Sequence, residues 1–258
     1  MKVKKDRSHY LFDNKALTAL IVPLIIEQFL AVLVGMADSI MIANVGEAAV
    51  SGVSLVDQVM LLIINLFGAL ATGGAVVAGQ YLGRKQEEEA DRAANQLIWF
   101  ITILAVGVMA VVYIGKDLIL HGVFGQIEAD VMKHANTYLL IVTASIPFIA
   151  LYNGGAAIFR TMGNSKITMI VSLIMNAINV IGNAILIYGF HCGTEGVAIP
   201  TLVSRMTAAI LITVLLLNEK QVLHLQKTLK YRPEKETIKK ILGIGIPNGL
   251  ENSMFQLG

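Results

Sequence analysis

The sequence predicts an all-α protein that crosses a membrane several times. Of its 258 residues, 55% are hydrophobic and only 15% are charged, whereas a soluble domain carries about 25% charged residues. The mean hydropathy is +0.69, and apolar runs long enough to cross about 30 Å of hydrocarbon recur along the chain. Backbone polar groups must be satisfied internally in lipid, and these runs lack the alternation of barrel strands, so the spans are expected to be helices.

Six complete spans are expected, and a seventh is begun. The first is interpreted as a retained span, because it exceeds the apolar core of a signal peptide and no small-residue cleavage site follows it. The predicted spans lie near 17–42, 50–82, 93–115, 135–159, 167–189 and 196–217, with the seventh starting near 241.

Two kinds of residue are expected to shape these helices. Prolines fall in or at the ends of four spans, where each removes a backbone donor and can kink the helix; they are Pro23, Pro147, Pro200 and Pro247. Small residues crowd the segment Gly68–Gly83 and favour close helix contact.

The distribution of lysine and arginine predicts the orientation. Seventeen lie on the side of the N-terminus, in the tail 2–15 and in the loops 84–92, 160–166 and 220–240. Two lie on the other side, and Arg205 falls inside the sixth span. Because positive loops stay in the cytoplasm, the sequence predicts a multi-pass protein of the cell membrane with a cytoplasmic N-terminus.

Three segments are expected. Residues 1–217 form a six-helix transmembrane lobe, residues 218–240 a cytoplasmic basic linker, and residues 241–258 the start of a second lobe. The segment after the linker repeats the opening motif, because Pro247 precedes Glu251 at the spacing that separates Pro23 from Glu27. This echo favours a parallel repeat whose second copy has just begun.

Glu27 and Asp38 are two carboxylates within the first span. A carboxylate at the bilayer centre costs about 2.5 to 3.5 kcal/mol, so each is expected to face protein or water. Their separation of eleven residues, about three helical turns, places them on one face but about 16 Å apart, too far for a joint acid–base pair. They are therefore candidates to bind a cation or a proton, unless Asp38 is simply hydrated at its helix end.

The fifth span carries a second polar stripe. Its members follow the spacing of one helical face, which favours a cation or acid-binding surface over ordinary interhelical packing. They are Ser172, Asn176, Asn179 and Asn183. Ser172, Asn176, Glu27 and its neighbour Gln28 are candidate polar groups of a cavity, whereas Asp57 and Arg205 fit either a cavity or a span end.

Several other activities find no support. Cys192 is the lone cysteine, which rules out an internal disulfide, and the histidines are expected outside the spans, which argues against a metal site other than one for Na⁺. No phosphate-binding loop or nucleophile–base pair occurs, so no enzyme and no cofactor is predicted. The basic linker is expected to contact anionic lipid rather than nucleic acid.

The ordered motifs resemble the multidrug and toxic compound extrusion (MATE) transporters. They are "IVPLIIEQF", "VGMADSIMIANVG", "AGQYLGRKQEEEADRA", "FRTMGNSKITM", "NVIGNAILIYG" and "GVAIPT". The resemblance implies the N-terminal six-helix lobe of a two-lobe transporter, with the C-terminal lobe missing. It also implies export of mostly cationic, amphipathic small molecules in exchange for Na⁺ or H⁺.

The resemblance assigns roles residue by residue. Asp38 matches the coupling aspartate of the first helix, Asn179 and Asn183 match polar positions of the fifth, and Thr201 matches the threonine of the sixth. Archaeal-type members have an aspartate where Asn183 stands, which leaves the choice between Na⁺ and H⁺ open. Glu251 lies earlier than the seventh-helix glutamate of the sodium-coupled branch, so that role is not transferred to it.

The function expected is a cation-coupled antiporter that works by alternating access. A lipid-linked oligosaccharide flippase of the same superfamily is the alternative, although it would need more cationic residues to meet a pyrophosphate. A membrane-embedded enzyme is disfavoured by the carboxylate separation, and a scaffold or channel is a further alternative.

Overall fold

The computed structural model describes residues 14–125, 127–226 and 232–257, and all regular structure within these ranges is helical. The helices are α1 (Asn14–Ala43), α2 (Glu47–Gly83), α3 (Glu87–Ile114), α4 (Ala129–Thr143), α5 (Ile146–Thr161), α6 (Ser165–Ala184), α7 (Glu195–Leu216) and α8 (Lys235–Leu257). Two π-helical segments, Leu118–Val123 and Ile185–Gly189, follow α3 and α6. The basic tail before Asn14 and part of the predicted linker, 227–231, lie outside the described residues.

The predicted fold class is confirmed. Within the described ranges, five helices are each long and apolar enough to cross a membrane. The pair α4 and α5 passes the same test together, with a bend of 48° between its halves, and supplies a sixth span. The protein is therefore a multi-pass, all-helical membrane protein. The helix α8 begins at Lys235, before the predicted position near 241.

The fourth span differs from the continuous helix predicted over 135–159. It breaks at Ala144 and Ser145, immediately before α5 begins. Pro147, in the first turn of α5, lacks the N–H that a continuous helix would need there. At the break, the Ser145 hydroxyl donates to the Val142 carbonyl, at 2.6 Å.

Two predicted loop residues lie within this span. His134, expected outside it, belongs to α4, where its ring nitrogen is hydrogen-bonded to the Thr194 hydroxyl. Arg160, expected in the following loop, belongs to the last turn of α5. Single-sequence boundaries commonly err by a few residues, because helices continue until a cap or a glycine ends them.

The helix α2 is the centre of the bundle. It packs against α3, α4, α5 and α8, and its buried side chains include Met60, Phe67 and Leu70. The helices α6 and α7 pack against each other, while α1 lies on the outside and packs chiefly against α6. The opposite face of α1 is apolar and exposed, as at Phe29 and Ile40, which are 62% and 64% accessible.

The small residues of α2 permit a close crossing with α8. A Cβ atom on Gly73 would lie 2.6 Å from the Ile241 carbonyl oxygen and 2.7 Å from the Gly245 nitrogen. The two backbones therefore touch, as the glycine-rich sequence of α2 predicts.

Candidate functional site

A polar pocket lies within the bundle, between α1, α2, α4, α6 and α7. Its volume is about 210 Å³, and its wall includes Asp38, Asp57, Tyr138, Asn176, Asn179, Thr201 and Arg205. The pocket thus combines side chains that are far apart in the sequence. It brings the predicted residues of the first, fifth and sixth spans together.

Asp38 is the half-buried carboxylate of this pocket, and two amides of α6 hold it. The Asn183 amide nitrogen donates to Asp38 Oδ1 at 2.6 Å. With its amide nitrogen toward the carboxylate, Asn179 donates to both oxygens, at 3.0 and 3.3 Å. This orientation avoids placing an amide oxygen against an ionised carboxylate.

Thr201 on α7 completes the predicted group. In the same orientation, the oxygen of Asn179 lies 3.0 Å from the Thr201 hydroxyl. That hydroxyl also lies 2.8 Å from the Val197 carbonyl, so two acceptors compete for its single hydrogen. The pairing of α1 with α6 and of α6 with α7 therefore positions all four residues expected from the resemblance.

Two buried amide atoms at the site have no hydrogen-bond partner. They are the oxygen of Asn183 and the amide nitrogen of Asn176. Asn183 is fully buried beside Asp38, and its free oxygen has the chemistry of a ligand for a hard cation. The arrangement can therefore hold a positive charge against Asp38 with neutral oxygen ligands around it.

Three further charged or hydroxyl groups of the pocket were not assigned from the sequence. The Tyr138 hydroxyl of α4 donates to Asp57 Oδ1 of α2 at 2.9 Å, and Arg205 Nη1 of α7 donates to the Ser145 hydroxyl at 2.8 Å. The sequence left Asp57 and Arg205 open between cavity and span end. The only sequence signal was their rarity as charges in apolar segments.

Glu27 belongs to a different buried cluster. Its Oε1 accepts hydrogen bonds from Arg160 at 3.0 Å and from Tyr152 at 3.1 Å, and its Oε2 accepts one from Thr168 at 3.3 Å. Glu27 therefore has Arg160 as a cationic partner and does not line the Asp38 pocket. Arg160 is also a cationic residue within a span, in addition to the Arg205 that the sequence indicated.

The polar stripe of α6 is divided between the two clusters. Asn176, Asn179 and Asn183 lie at the Asp38 pocket, whereas Ser172 is buried beside Tyr152 of the Glu27 cluster. Gln28 is exposed on the surface of α1 and is not brought to either cluster. Helical spacing placed the stripe on one face but could not show that two sites divide it.

The oxygen-rich lining of the pocket suits a hard cation or a proton. Within the described ranges, no three His, Cys, Asp or Glu side chains converge as they would around a bound transition metal. The pocket instead offers carboxylate, amide and hydroxyl oxygens. These are the ligands of hard cations, and a carboxylate can also take a proton.

Comparison with curated proteins finds relatives of about twice the length. The chain is 32% identical over 240 residues to the "Uncharacterized transporter YisQ" of Bacillus subtilis, covering 91% of this chain and 52% of that protein. It is 26% identical to the "Probable multidrug resistance protein NorM" of Thermotoga maritima, and the match covers 95% of this chain and 53% of that protein. The "Multidrug export protein MepA" of Staphylococcus saprophyticus is also 26% identical, with 94% and 54% covered. The chain thus spans about half the length of these relatives.

Solved structures show the same fold. The "Crystal structure of MATE in the straight conformation" superposes with a TM-score of 0.86 at 24% identity, covering 94% of this chain and 54% of that one. An "Outward-facing conformation of a multidrug resistance MATE family transporter of the MOP superfamily" gives 0.83 at 25% identity, with 92% and 52% covered. The family model MatE matches residues 23–185, which is more than half of the chain. The chain therefore belongs to the MatE family, whose members are transporters and not enzymes.

Proposed function

We propose that this chain is the N-terminal half of a cation-coupled antiporter that exports amphipathic, mostly cationic compounds. The observation that carries the proposal is Asp38, a membrane-embedded carboxylate held by Asn179 and Asn183 inside a polar pocket. The coupling ion, Na⁺ or H⁺, binds at Asp38 with Asn179, Asn183 and Thr201 around it. The N-terminus and the linker 218–240 lie in the cytoplasm, and a second lobe faces this one across a central cavity.

The pocket within this half is suited to an ion rather than to a whole drug. Its volume of about 210 Å³ is below the range of about 300 to 1,000 Å³ that drug-sized ligands occupy. The pocket holds the ion and its waters, and the exported compound binds in the larger space between the two lobes. The negative charge of the carboxylates attracts both the ion and the cationic compound, so the two compete for that charge.

The amide of Asn179 suits both charge states of Asp38. Toward an ionised carboxylate it presents its nitrogen, at 3.0 Å. Rotated by half a turn, it presents its oxygen, which accepts a hydrogen bond from a protonated carboxyl group or coordinates Na⁺. A ligand shifts a conformational equilibrium only through its different affinity for the two states. The ion has such a difference in affinity if α1 and α6 hold Asp38 and Asn179 together in only one of the two conformations.

The test is the replacement Asp38→Asn in the full-length transporter. It removes the charge with almost no change of shape, so we expect loss of drug resistance and of gradient-driven efflux in vesicles, with normal insertion. Glu47→Gln is the matched control, because it neutralises an exposed carboxylate in the first turn of α2. Resistance that survives Asp38→Asn at parental level would refute the proposed role of Asp38.

The coupling ion is identified by transport in reconstituted vesicles. Efflux is measured under an imposed Na⁺ gradient at equal pH, and then under an imposed pH gradient at equal Na⁺. The proposal expects at least one gradient to drive efflux, and Asp38→Asn to abolish that response. A flippase would instead move lipid-linked oligosaccharide without either gradient.

A further inference from the structure

The Asp38 pocket contains three ionisable charges, not one. Asp38 of α1, Asp57 of α2 and Arg205 of α7 all line it. The direct hydrogen-bond partners found for these groups are neutral: amides for Asp38, the Tyr138 hydroxyl for Asp57 and the Ser145 hydroxyl for Arg205. With all three groups ionised, the wall of the pocket carries a net charge of minus one.

Arg205 is held at the wall of the pocket by the Ser145 hydroxyl. The hydrogen of the Ser145 hydroxyl is directed to the Val142 carbonyl at 2.6 Å, so its oxygen is free to accept from Arg205. Among the described residues, Arg205 forms no direct ion pair with a carboxylate. The bend between α4 and α5 thus supplies the hydroxyl that holds the guanidinium group at the pocket wall.

The charges are not equivalent to each other. Asp57 is held by the Tyr138 hydroxyl, whereas Asp38 is held by amides that can present either their nitrogen or their oxygen to it. A guanidinium group stays charged at every relevant pH. Its permanent positive charge therefore offsets one of the two carboxylates that line the pocket, and the adaptable amide donors make Asp38 the one that exchanges its cation.

We infer that Arg205 is the fixed counter-charge of the carboxylate pair Asp38 and Asp57, so that the pocket accepts one exchangeable monovalent cation at Asp38. The inference rests on the proposed function and adds to it two specificity-determining residues and the charge of the occupant. A pocket of charge minus one is neutralised by one proton, one Na⁺ or one singly charged group of a substrate. Two positive charges would leave an excess charge in a site of low dielectric constant.

The test changes the charge of the pocket in both directions. Asp57→Asn makes it neutral, Arg205→Gln makes it minus two, and the double variant restores minus one. Equilibrium binding of radiolabelled Na⁺, with proton release recorded in parallel, is measured on the purified full-length transporter. We expect about tenfold or weaker cation binding in Asp57→Asn, and about tenfold tighter binding or a second bound cation in Arg205→Gln. The double variant is expected to return to within about threefold of the parent.

Two variants separate charge from structure. Arg205→Lys keeps the positive charge and is expected to behave as the parent does, whereas Arg92→Gln, on an exposed surface pair, is expected to leave binding unchanged. Parental binding by the double variant would itself show that the protein is folded. The inference is overturned if the double variant resembles either single variant, or if Arg205→Lys resembles Arg205→Gln.

The outcome also separates this inference from the proposed function. If Asp38→Asn leaves cation binding unchanged, Asp38 is not the coupling site and both fail. If Asp38→Asn abolishes binding but the Asp57 and Arg205 variants do not follow the charge of the pocket, only the counter-charge inference fails.

Discussion

The direct hydrogen-bond partners of Asp38 are two amides, and an amide can present either its nitrogen or its oxygen to a neighbour. The hydrogen bonds from Asn183 and Asn179 stabilise an ionised carboxylate without neutralising it. A direct salt bridge would occupy the site permanently, as Arg160 does at Glu27. The two carboxylates of α1 therefore differ in their direct partners among the described residues, which are neutral amides for Asp38 and include a cation for Glu27.

Replacement of Asn183 by aspartate provides a prediction at this scale. In Asn183→Asp, a second carboxylate replaces a group that now lies 2.6 Å from Asp38 Oδ1. Two carboxylates at this distance cannot both stay ionised. They therefore share one proton. We expect drug efflux to become more dependent on pH and less dependent on Na⁺, measured in vesicles with imposed gradients.

The control for this prediction is Asn218→Asp, the same change at an exposed residue after α7. Its efflux is expected to follow the parental pH profile. An unchanged ion dependence in Asn183→Asp would contradict the role given to Asn183.

The sequence predicted the group around Asp38 better than it predicted the other charged and hydroxyl groups of the pocket. The motifs that resemble the MATE family contain Asp38, Asn179, Asn183 and Thr201, and all four meet in the structure. Tyr138 and the roles of Asp57 and Arg205 could not be predicted, because spacing along one helix does not show which neighbouring helix a side chain faces. The ion pair of Glu27 could not be predicted for the same reason, since its partner Arg160 is 133 residues away.

At the scale of elements, α1 is attached to the bundle by two polar contacts along a mainly apolar helix. One is the Glu27 cluster with α5 and α6, and the other is the Asp38 site with α6. Pro23 lies one turn before Glu27 and removes a backbone hydrogen bond there. The Glu27 cluster therefore fixes the half of α1 that contains the proline, and the proposed function requires the Asp38 contact to change when the ion binds.

Loss of the Glu27 ion pair is expected to loosen α1. Arg160→Gln leaves the mostly buried Glu27 charge without its cation, at a cost of about 1 to 3 kcal/mol after allowance for the 37% exposure of the Arg160 side chain. We expect a lower thermal unfolding temperature in detergent. The double variant Glu27→Gln, Arg160→Gln removes both charges and is expected to be less destabilised than Arg160→Gln alone. Equal destabilisation would mean that packing, not charge, holds α1.

The crossing of α2 and α8 yields a prediction with a matched control. Gly73→Ala would place a methyl group 2.6 Å from the Ile241 carbonyl oxygen, whereas a Cβ atom on Gly68 meets no atom within 4 Å. We expect Gly73→Ala to separate the two helices and to cost about 1 to 3 kcal/mol, and Gly68→Ala to be neutral or slightly stabilising. Thermal unfolding in detergent measures both. Equal stability of the two variants would contradict the close crossing.

Helix existence was predictable, but helix breaks were not. The six predicted spans correspond to α1, α2, α3, the bent pair α4–α5, α6 with its π-helical segment, and α7. Long apolar runs predict spans because the membrane leaves few alternatives. The bend at Ser145 depends on the tertiary contact of its hydroxyl with Arg205, 60 residues later, which periodicity does not contain.

At the scale of the whole molecule, the bundle and the charge distribution together define a sidedness. The described helices alternate across the membrane, so the loop between α2 and α3 and the loop between α6 and α7 lie on opposite sides. The first of these loops is rich in lysine and arginine, and the second has neither. The cytoplasmic position of the N-terminus remains a prediction from this imbalance.

The lone cysteine of the chain makes that prediction directly measurable. Cys192 is partly exposed in the loop between the π-helical segment Ile185–Gly189 and α7. With a cytoplasmic N-terminus this loop faces the outside, so we expect a membrane-impermeant maleimide to label Cys192 in intact cells. Cys192→Ser is expected to remove the label. In that background, Glu88→Cys, at a side chain that is 89% exposed in the first turn of α3, is expected to react only after the membrane is permeabilised. The reverse pattern would place the basic loops outside, and the access path of the ion to Asp38 would then be inverted with them.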